Sequence, residues 1–298
     1  MNRDIRHILC PVDFSELAHR ALDHAAAMAL WYKAPLTVLH VFANVPLDLA
    51  PAVPHPADRG QREAELERFV EHVPPEVVLN QVIREARDIR AEILAQVEAL
   101  GTDFLVMGSH GRSGFKRQVL GSVAETIMRT APCPVMIVPR QAPDAVPGTP
   151  VRFSRILCPT DFSESSIRAL QYAVDIAQKA GARLTLLHAI EVPPEFRENR
   201  MAADFDVDRA RAAAEARCME RLRAAIPSPV RTNDEVETVV VEGPAYREVL
   251  RQAAAQAIDL MVMGVHGRGA VDLLVFGSNT QQVVRAAHCP VLIVSRAP

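Results

Sequence analysis

The sequence predicts two α/β domains in tandem, each a parallel sheet of about five strands with helices on both faces. Three observations carry this. First, residues 8–22, ILCPVDFSELAHRAL, recur as ILCPTDFSESSIRAL at 156–170, and Leu105–Val138 recurs as Met261–Val294. A period of roughly 150 residues is too long for a solenoid unit and is the size of a whole domain. Second, short apolar runs alternate with longer amphipathic stretches in each copy, the pattern of strand and helix in turn. Third, residues 139–154, PRQAPDAVPGTPVRFS, hold four prolines and one glycine with no apolar periodicity. Such a stretch is a semi-rigid linker. The expected division is domain 1 over 1–140, a Pro-rich linker over 141–152 and domain 2 over 153–298.

The elements follow in order. Ile5–Pro11 is a short apolar run and reads as the first strand. Ser15 is a good N-cap for a helix running to about Tyr32. Leu36–Phe42, LTVLHVF, is a buried strand. Residues 61–72 form a charged helix with a solvated face after a Pro-rich stretch. Val77–Ile83 alternates and reads as a third strand. Ile89–Leu100 is periodic at 3.6 residues, with Gly101 as its C-cap. Phe104–Met107 is the fourth strand, a helix follows Gly121, and Val135–Val138 is the fifth. The second copy repeats this with strands at 184–190, 236–242, 259–263 and 291–294, and with an Arg/Ala-rich helix over 208–225.

Composition narrows the function. The 298 residues are 49% hydrophobic and 23% charged, enough to build a core in each half. A net charge of −3 and only 5% aromatics argue against a nucleic-acid surface. No apolar run approaches the ~18 residues of a membrane span. Met1-Asn2-Arg3-Asp4 lacks the apolar region of a signal peptide, so the expected location is the cytoplasm. The five cysteines, Cys10, Cys133, Cys158, Cys218 and Cys289, form no CxxC pair and are expected to be reduced and mostly buried.

In a doubly wound sheet, ligands bind beyond the carboxyl ends of the strands, where strand order reverses. The loops after the first and fourth strands are therefore the candidates. After the fourth strand both copies carry G-x2-G-x9-G-S: Gly108, Gly111, Gly121 and Ser122 in one, Gly264, Gly267, Gly277 and Ser278 in the other. Glycines let backbone N–H groups approach an anion, and the Gly-Ser pairs open helices whose N-termini attract phosphate. After the first strand come Pro11-Val12-Asp13 and Pro159-Thr160-Asp161. A carboxylate there can accept from an adenine amino group or a ribose hydroxyl. Val41 and Ala189, at the ends of the second strands, can offer backbone groups to a base edge.

This set of residues resembles the universal stress protein family over essentially the whole chain, twice. The resemblance rests on PVDFS/PTDFS, MGSHGR/MGVHGR, G-x2-G-x9-G-S and the closing CPV-[ML]-IV strands. It implies Rossmann-like domains of the adenine nucleotide alpha hydrolase-like kind, binding ATP. It also implies association through the last strand, as an intramolecular pseudo-dimer or a homodimer, and an unknown protein partner. The implied site in domain 1 is Pro11, Val12, Asp13, Val41, Met107, Gly108, His110, Gly111, Gly121, Ser122 and Val123. In domain 2 it is Pro159, Thr160, Asp161, Ala189, Met263, Gly264, His266, Gly267, Gly277, Ser278 and Asn279. Arg112 and Arg268 stand where they could reach terminal phosphates.

The copies depart from the family tail G-S-V-S in different ways. Domain 1 has Ala124 where the second hydroxyl is expected, while domain 2 keeps one in Thr280 and has Asn279 for Val. Charge in the nine-residue loop, from Arg112, Lys116 and Arg117, favours domain 1; hydroxyl count favours domain 2. His110 and His266 are expected to shape the loop or lie against ribose or phosphate. His40 and His188 are expected to be satisfied core or rim histidines. No GxxxxGK[ST] motif, no Lys placed among the glycines as a phosphate clamp and no acidic pair near them is present, so at most weak ATPase activity is expected. A Mg²⁺ or Mn²⁺ ion would be held mainly by the phosphates and water. The function expected is a nucleotide-dependent switch or sensor with slow or no hydrolysis. The alternatives are a slow ATPase or nucleotidyl-transfer enzyme, and a nucleotide-free interaction scaffold.

Overall fold

The computed structural model describes residues 5–43, 59–111, 120–143, 151–191, 207–227, 236–265 and 277–295. They fall into two compact units, one holding the described residues through Arg152 and the other those from Phe153 onward. The first runs β1 (Ile8–Val12), α1 (Glu16–Tyr32), β2 (Leu36–Ala43), α2 (Arg59–Val70), β3 (Leu79–Ala86), α3 (Ile89–Ala99), β4 (Phe104–Gly108), α4 (Ser122–Thr130) and β5 (Val135–Val138). Its strands lie in the order β3-β2-β1-β4-β5, with parallel pairing between neighbours.

The second unit runs β6 (Arg155–Pro159), α5 (Glu164–Ala180), β7 (Arg183–Ile190), α6 (Val207–Ala225), β8 (Val236–Glu242), α7 (Ala245–Ala255), β9 (Leu260–Gly264), α8 (Ser278–Ala286) and β10 (Val291–Val294). Its order, β8-β7-β6-β9-β10, is the same topology, again parallel throughout. In each unit the chain goes outward one way from the first strand and then back across it. The switch point falls between β1 and β4, and between β6 and β9.

Continuous apolar runs build the sheets because both faces are covered. Ile8, Leu9, Cys10, Leu36, Val38, Leu39 and Phe104 are inaccessible to solvent, as are Ile156, Leu157, Cys158, Leu186 and Leu260. Cys10, Cys133, Cys158 and Cys289 are buried free thiols, and Cys218 is half-buried. Burial pushes the Cys133 and Cys289 thiols up to about 12, so they stay protonated and inert.

Several boundaries differ from the sequence reading. β1 begins at Ile8; Ile5 is buried ahead of it but outside the strand. β3 starts and ends later than 77–83, because its register continues along β2 as far as Ala43 opposite Ala86. The polar residues Arg84 and Glu85 are tolerated there because β3 lies at the sheet's edge and one face is open. Leu100 caps α3, and Gly101 takes the left-handed turn one residue later, at φ 59°. Of the linker segment, residues 144–150 lie outside the described residues.

Candidate functional site

The turn from β1 into α1 aims the first site residues. Ser15 caps α1: its Oγ accepts from the Ala18 N–H at 3.2 Å and donates to Asp13 Oδ1 at 2.6 Å, and Asp13 Oδ1 also accepts from the Ser15 N–H. Between them Phe14 sits at φ 60°, a conformation that costs a bulky side chain on the order of 1 kcal/mol. The second unit repeats the device. Phe162 is at φ 63°, and Ser163 caps α5 and donates to Asp161 Oδ1 at 2.6 Å. A strained elbow built twice from the same residues fixes where both aspartates point.

At the carboxyl end of the first unit's sheet, beside the switch point, lies a cavity of about 320 Å³. That is the lower end of the range for small-molecule sites. Pro11, Val12 and Asp13 line it from β1, Val41 from β2, Met107 and Gly108 from β4, His110 and Gly111 from the following loop, and Gly121, Ser122 and Val123 from the start of α4. The sequence placed all of these in one site; Arg112 lies outside the described residues. The sequence reading missed Ala18, Leu39, Ile89, Ile93 and Ala124, which complete the wall. Their periodicity marks them as buried but not as site residues. Leu39 lies two residues before Val41 on the same strand face, and Ile89 and Ile93 stand at i and i+4 on α3.

The cavity has an apolar end and a donor end. Leu39, Val41, Ile89, Ile93 and Met107 offer a slot for a flat apolar ring. At the other end Gly121 gives α4 no side-chain cap, so the N–H groups of Ser122, Val123 and Ala124 have no acceptor within the helix. The helix dipole adds positive potential at that point. Two glycines are closely approached here, Gly111 by a side chain and Gly121 by backbone. A Cβ on Gly111 would stand 2.5 Å from Asp13 Oδ2, and one on Gly121 would stand 3.2 Å from the Ser109 carbonyl oxygen. His110 bonds Ser109 Oγ through Nδ1 at 2.9 Å, while its Nε2 is buried with no partner among the described residues. Burial, then the charge of Arg140, hold this imidazole below its ordinary pKa, so it is neutral at pH 7. Among the described residues Nε2 is thus left as a shielded polar atom in the cavity wall.

In the second unit Pro159, Thr160, Asp161, Ala189, Met263, Gly264, Gly277, Ser278 and Asn279 occupy the matching strand ends and helix start. His266, Gly267 and Arg268 lie outside the described residues. Gly277 likewise leaves α8 uncapped by a side chain. The walls are more polar. Thr160 Oγ1 and Ser166 Oγ lie 3.0 Å apart, Phe162 N–H donates to Thr160 Oγ1, and Thr280 Oγ1 donates to the Gly264 carbonyl at 3.0 Å. His40 and His188 are satisfied as the sequence suggested. Each uses Nδ1 on a carbonyl at the neighbouring strand's exit, Val12 O at the end of β1 at 2.8 Å and Thr160 O just past β6 at 2.7 Å.

A larger cavity, about 780 Å³, opens in the second unit at the opposite, amino end of the strands, beside Arg155, Arg183, Thr185 and Gln256. The helices end there, so their dipoles oppose an anion and Arg155 is already bonded to the Gln256 carbonyl at 2.8 Å. An anion is better accommodated at the carboxyl end, where the helices begin. No cluster of three or more metal-ligating side chains occurs among the described residues, and none of their helices is long and apolar enough to cross a membrane.

Residues 4–139 and 152–295 each match the profile of the universal stress protein family. The chain belongs to that family. A universal stress protein of Mycobacterium tuberculosis is 28% identical over 97% of this chain and 97% of its own length. One from Thermus aquaticus is 32% identical over 48% of this chain and 98% of its own. Among solved structures, a universal stress protein from Archaeoglobus fulgidus covers 98% of this chain and 97% of its own at 21% identity, with a TM-score of 0.63. A protein of unknown function from Pseudomonas aeruginosa covers 98% and 93% at 19% identity, with a TM-score of 0.67. The tandem fold is thus shared along the whole chain of this universal stress protein.

Proposed function

We propose that this universal stress protein binds ATP in the first unit's cavity, and more weakly at the matching loops of the second. It would act as a cytoplasmic nucleotide-dependent switch with slow or no hydrolysis. The observation that supports this best is the division of one cavity into an apolar slot and an uncapped helix N-terminus. The slot suits adenine. Asp13, at its mouth, suits a ribose hydroxyl or the exocyclic amine. The free N–H groups of Ser122 and Val123, with His110 Nε2, suit phosphate oxygens. Mg²⁺ or Mn²⁺ would arrive with the phosphates, since Asp13 Oδ1 is already engaged by Ser15. Binding energy spent at the carboxyl end of the sheet would then bias the surface that a protein partner meets.

The test is direct. Purified protein is denatured and released small molecules are identified by mass; emptied protein is then titrated with ATP by calorimetry. Adenine nucleotide in the first experiment, and two unequal sites in the second, are the expected results. No released nucleotide together with no heat at millimolar ATP overturns the reading and leaves an interaction scaffold. Steady phosphate or pyrophosphate release, abolished by Asp13→Ala, would make the protein an enzyme instead.

A further inference from the structure

His40 lies immediately behind the lip of the first unit's cavity and is 5% exposed. Its two ring nitrogens face partners of opposite kind. Nδ1 is 2.8 Å from the Val12 carbonyl oxygen, which can only accept. Nε2 is 3.3 Å from Nη1 of Arg62, which can only donate. The pair fixes the neutral tautomer with the proton on Nδ1. The ring thereby joins α2, which carries Arg62, to Val12, which together with Asp13 lines the cavity.

The surroundings make this joint sensitive to charge. Phe14, at the strained elbow, lies on the imidazole with ring centroids 4.2 Å apart and meets Phe69 of α2 edge-on at 5.4 Å. The Arg62 guanidinium sits over the Phe42 ring at 4.3 Å, and its Nε is buried without a partner among the described residues. That guanidinium has little spare solvation to meet a second positive charge. Among the described residues, the charged groups facing His40 are Arg62 and Glu65 from α2 and Asp13 from the lip. Glu65 and Asp13 favour the imidazolium, as does the Val12 bond; burial and Arg62 oppose it. Burial is the largest effect, and the ring is held below its ordinary pKa.

We propose that His40 is a pH-sensitive positioning residue for the first unit's nucleotide site. Its neutral ring ties α2 to the Val12–Asp13 lip, and its protonation breaks that tie and weakens nucleotide binding. The inference rests on the nucleotide reading above. On protonation Nε2 gains a hydrogen, ceases to accept, and faces the guanidinium as a like charge. Arg62 must leave, and the support of Phe14 from α2 leaves with it. The sign follows from linkage: a histidine neutral in the competent state gives its stabilisation above its unfolded pKa and loses it as pH falls through the lower folded one. In the second unit a different contact occurs, with Arg221 of α6 over the Phe162 ring at 4.0 Å.

The experiment measures ATP affinity of the full chain by calorimetry from pH 8 to pH 5 for wild type and His40→Asn. The Asn amide can still donate to the Val12 carbonyl but does not titrate. Protonation of ATP itself, and the second unit's site, are common to both proteins and cancel in the ratio. The expected result is a wild-type to variant ratio that falls about fivefold toward acid, within the tenfold per pH unit that one linked proton permits. A flat ratio overturns the inference and leaves ATP binding standing. No binding by either protein at pH 8 overturns the nucleotide reading, and the inference with it. Should His40→Asn fail to fold, wild-type nitrogen-15 spectra decide. By reciprocity ATP must lower the His40 pKa, and an unchanged value overturns the inference.

Discussion

The two units have the same topology and the same strained elbow, yet they wall their sites with different chemistry. Behind the lip the first unit has Val12, Leu17 and Ala18; the second has Thr160, Ser165 and Ser166. Under the helix start the first has Ala124 and the second Thr280. The second unit's extra hydroxyls are engaged with each other and with backbone: Thr160 with Ser166, Ser163 with Ser165, Thr280 with the Gly264 carbonyl. Duplication preserved the backbone cradle and let the walls diverge. A hydroxyl counted along the sequence is therefore not a hydroxyl offered to a ligand. The apolar version, in the first unit, lines a formed cavity.

The sharpest break between the units lies at the paired glycines ending β4 and β9. A Cβ on Gly264 would stand 2.7 Å from the Ser165 carbonyl carbon and 2.8 Å from the Ser166 nitrogen, both fixed backbone. A Cβ on Gly108 would stand 2.9 Å from Leu17 Cγ, a side chain that can shift. Gly264→Ala is expected to cost about 3 kcal/mol and Gly108→Ala about 1 kcal/mol. Urea denaturation of the full chain, followed by far-ultraviolet circular dichroism, measures both. Equal losses would show that Leu17 is as immovable as the α5 backbone.

Next in size is the effect of the lip carboxylates on binding. Asp13→Ala is expected to weaken the first unit's ATP site about tenfold, or about 1.4 kcal/mol, and Asp161→Ala to affect the other site alone. Two-site calorimetry separates them. Both changes remove the same Ser bond at a helix start, so any difference between them belongs to the ligand. A first site untouched by Asp13→Ala would remove the carboxylate from nucleotide recognition.

The helix caps test what the units share. Ser15→Ala and Ser163→Ala each remove an acceptor for a first-turn N–H and a donor to the adjacent aspartate. Each is expected to cost about 1 kcal/mol. Ser163→Ala is expected to be slightly the larger, because Ser163 Oγ also lies 3.2 Å from Ser165 Oγ. The same denaturation curves check this, and a negligible loss in either unit would mean that the elbow holds itself without its cap.

Much of this architecture is legible in the sequence, for identifiable reasons. The duplication exposes domain size, the apolar runs expose buried parallel strands, and the glycine spacing exposes the loop after β4. Ala18, Ile89 and Ile93 were not legible as site residues because apolar residues at helical spacing read as core wherever they lie. They are site walls only because α1 and α3 begin beside the switch point, which is a fact of packing. The Arg62–His40–Val12 chain was hidden for the same reason. Nothing in the spacing of residues 12, 40 and 62 announces that two histidine nitrogens will find an acceptor and a donor. The direction of each hydroxyl was equally hidden, and Thr280 shows it best.

By sequence, Thr280 supplies the second unit with a donor that Ala124 denies the first, and this counted toward tighter phosphate binding there. In the structure Thr280 is 5% exposed and its hydroxyl donates back to the Gly264 carbonyl. Thr280→Val keeps the shape and removes the donor. It is expected to reduce stability by up to about 1 kcal/mol, because the Gly264 carbonyl loses that partner. It is expected to change ATP affinity at the second site by less than about twofold, or about 0.4 kcal/mol. Calorimetry on the full chain reads the affinity, and denaturation reads the stability. A tenfold loss of second-site affinity without loss of stability would mean that the hydroxyl turns to the phosphate when ligand arrives. The contrast between the units would then be one of donors held in reserve, rather than donors already spent on the protein.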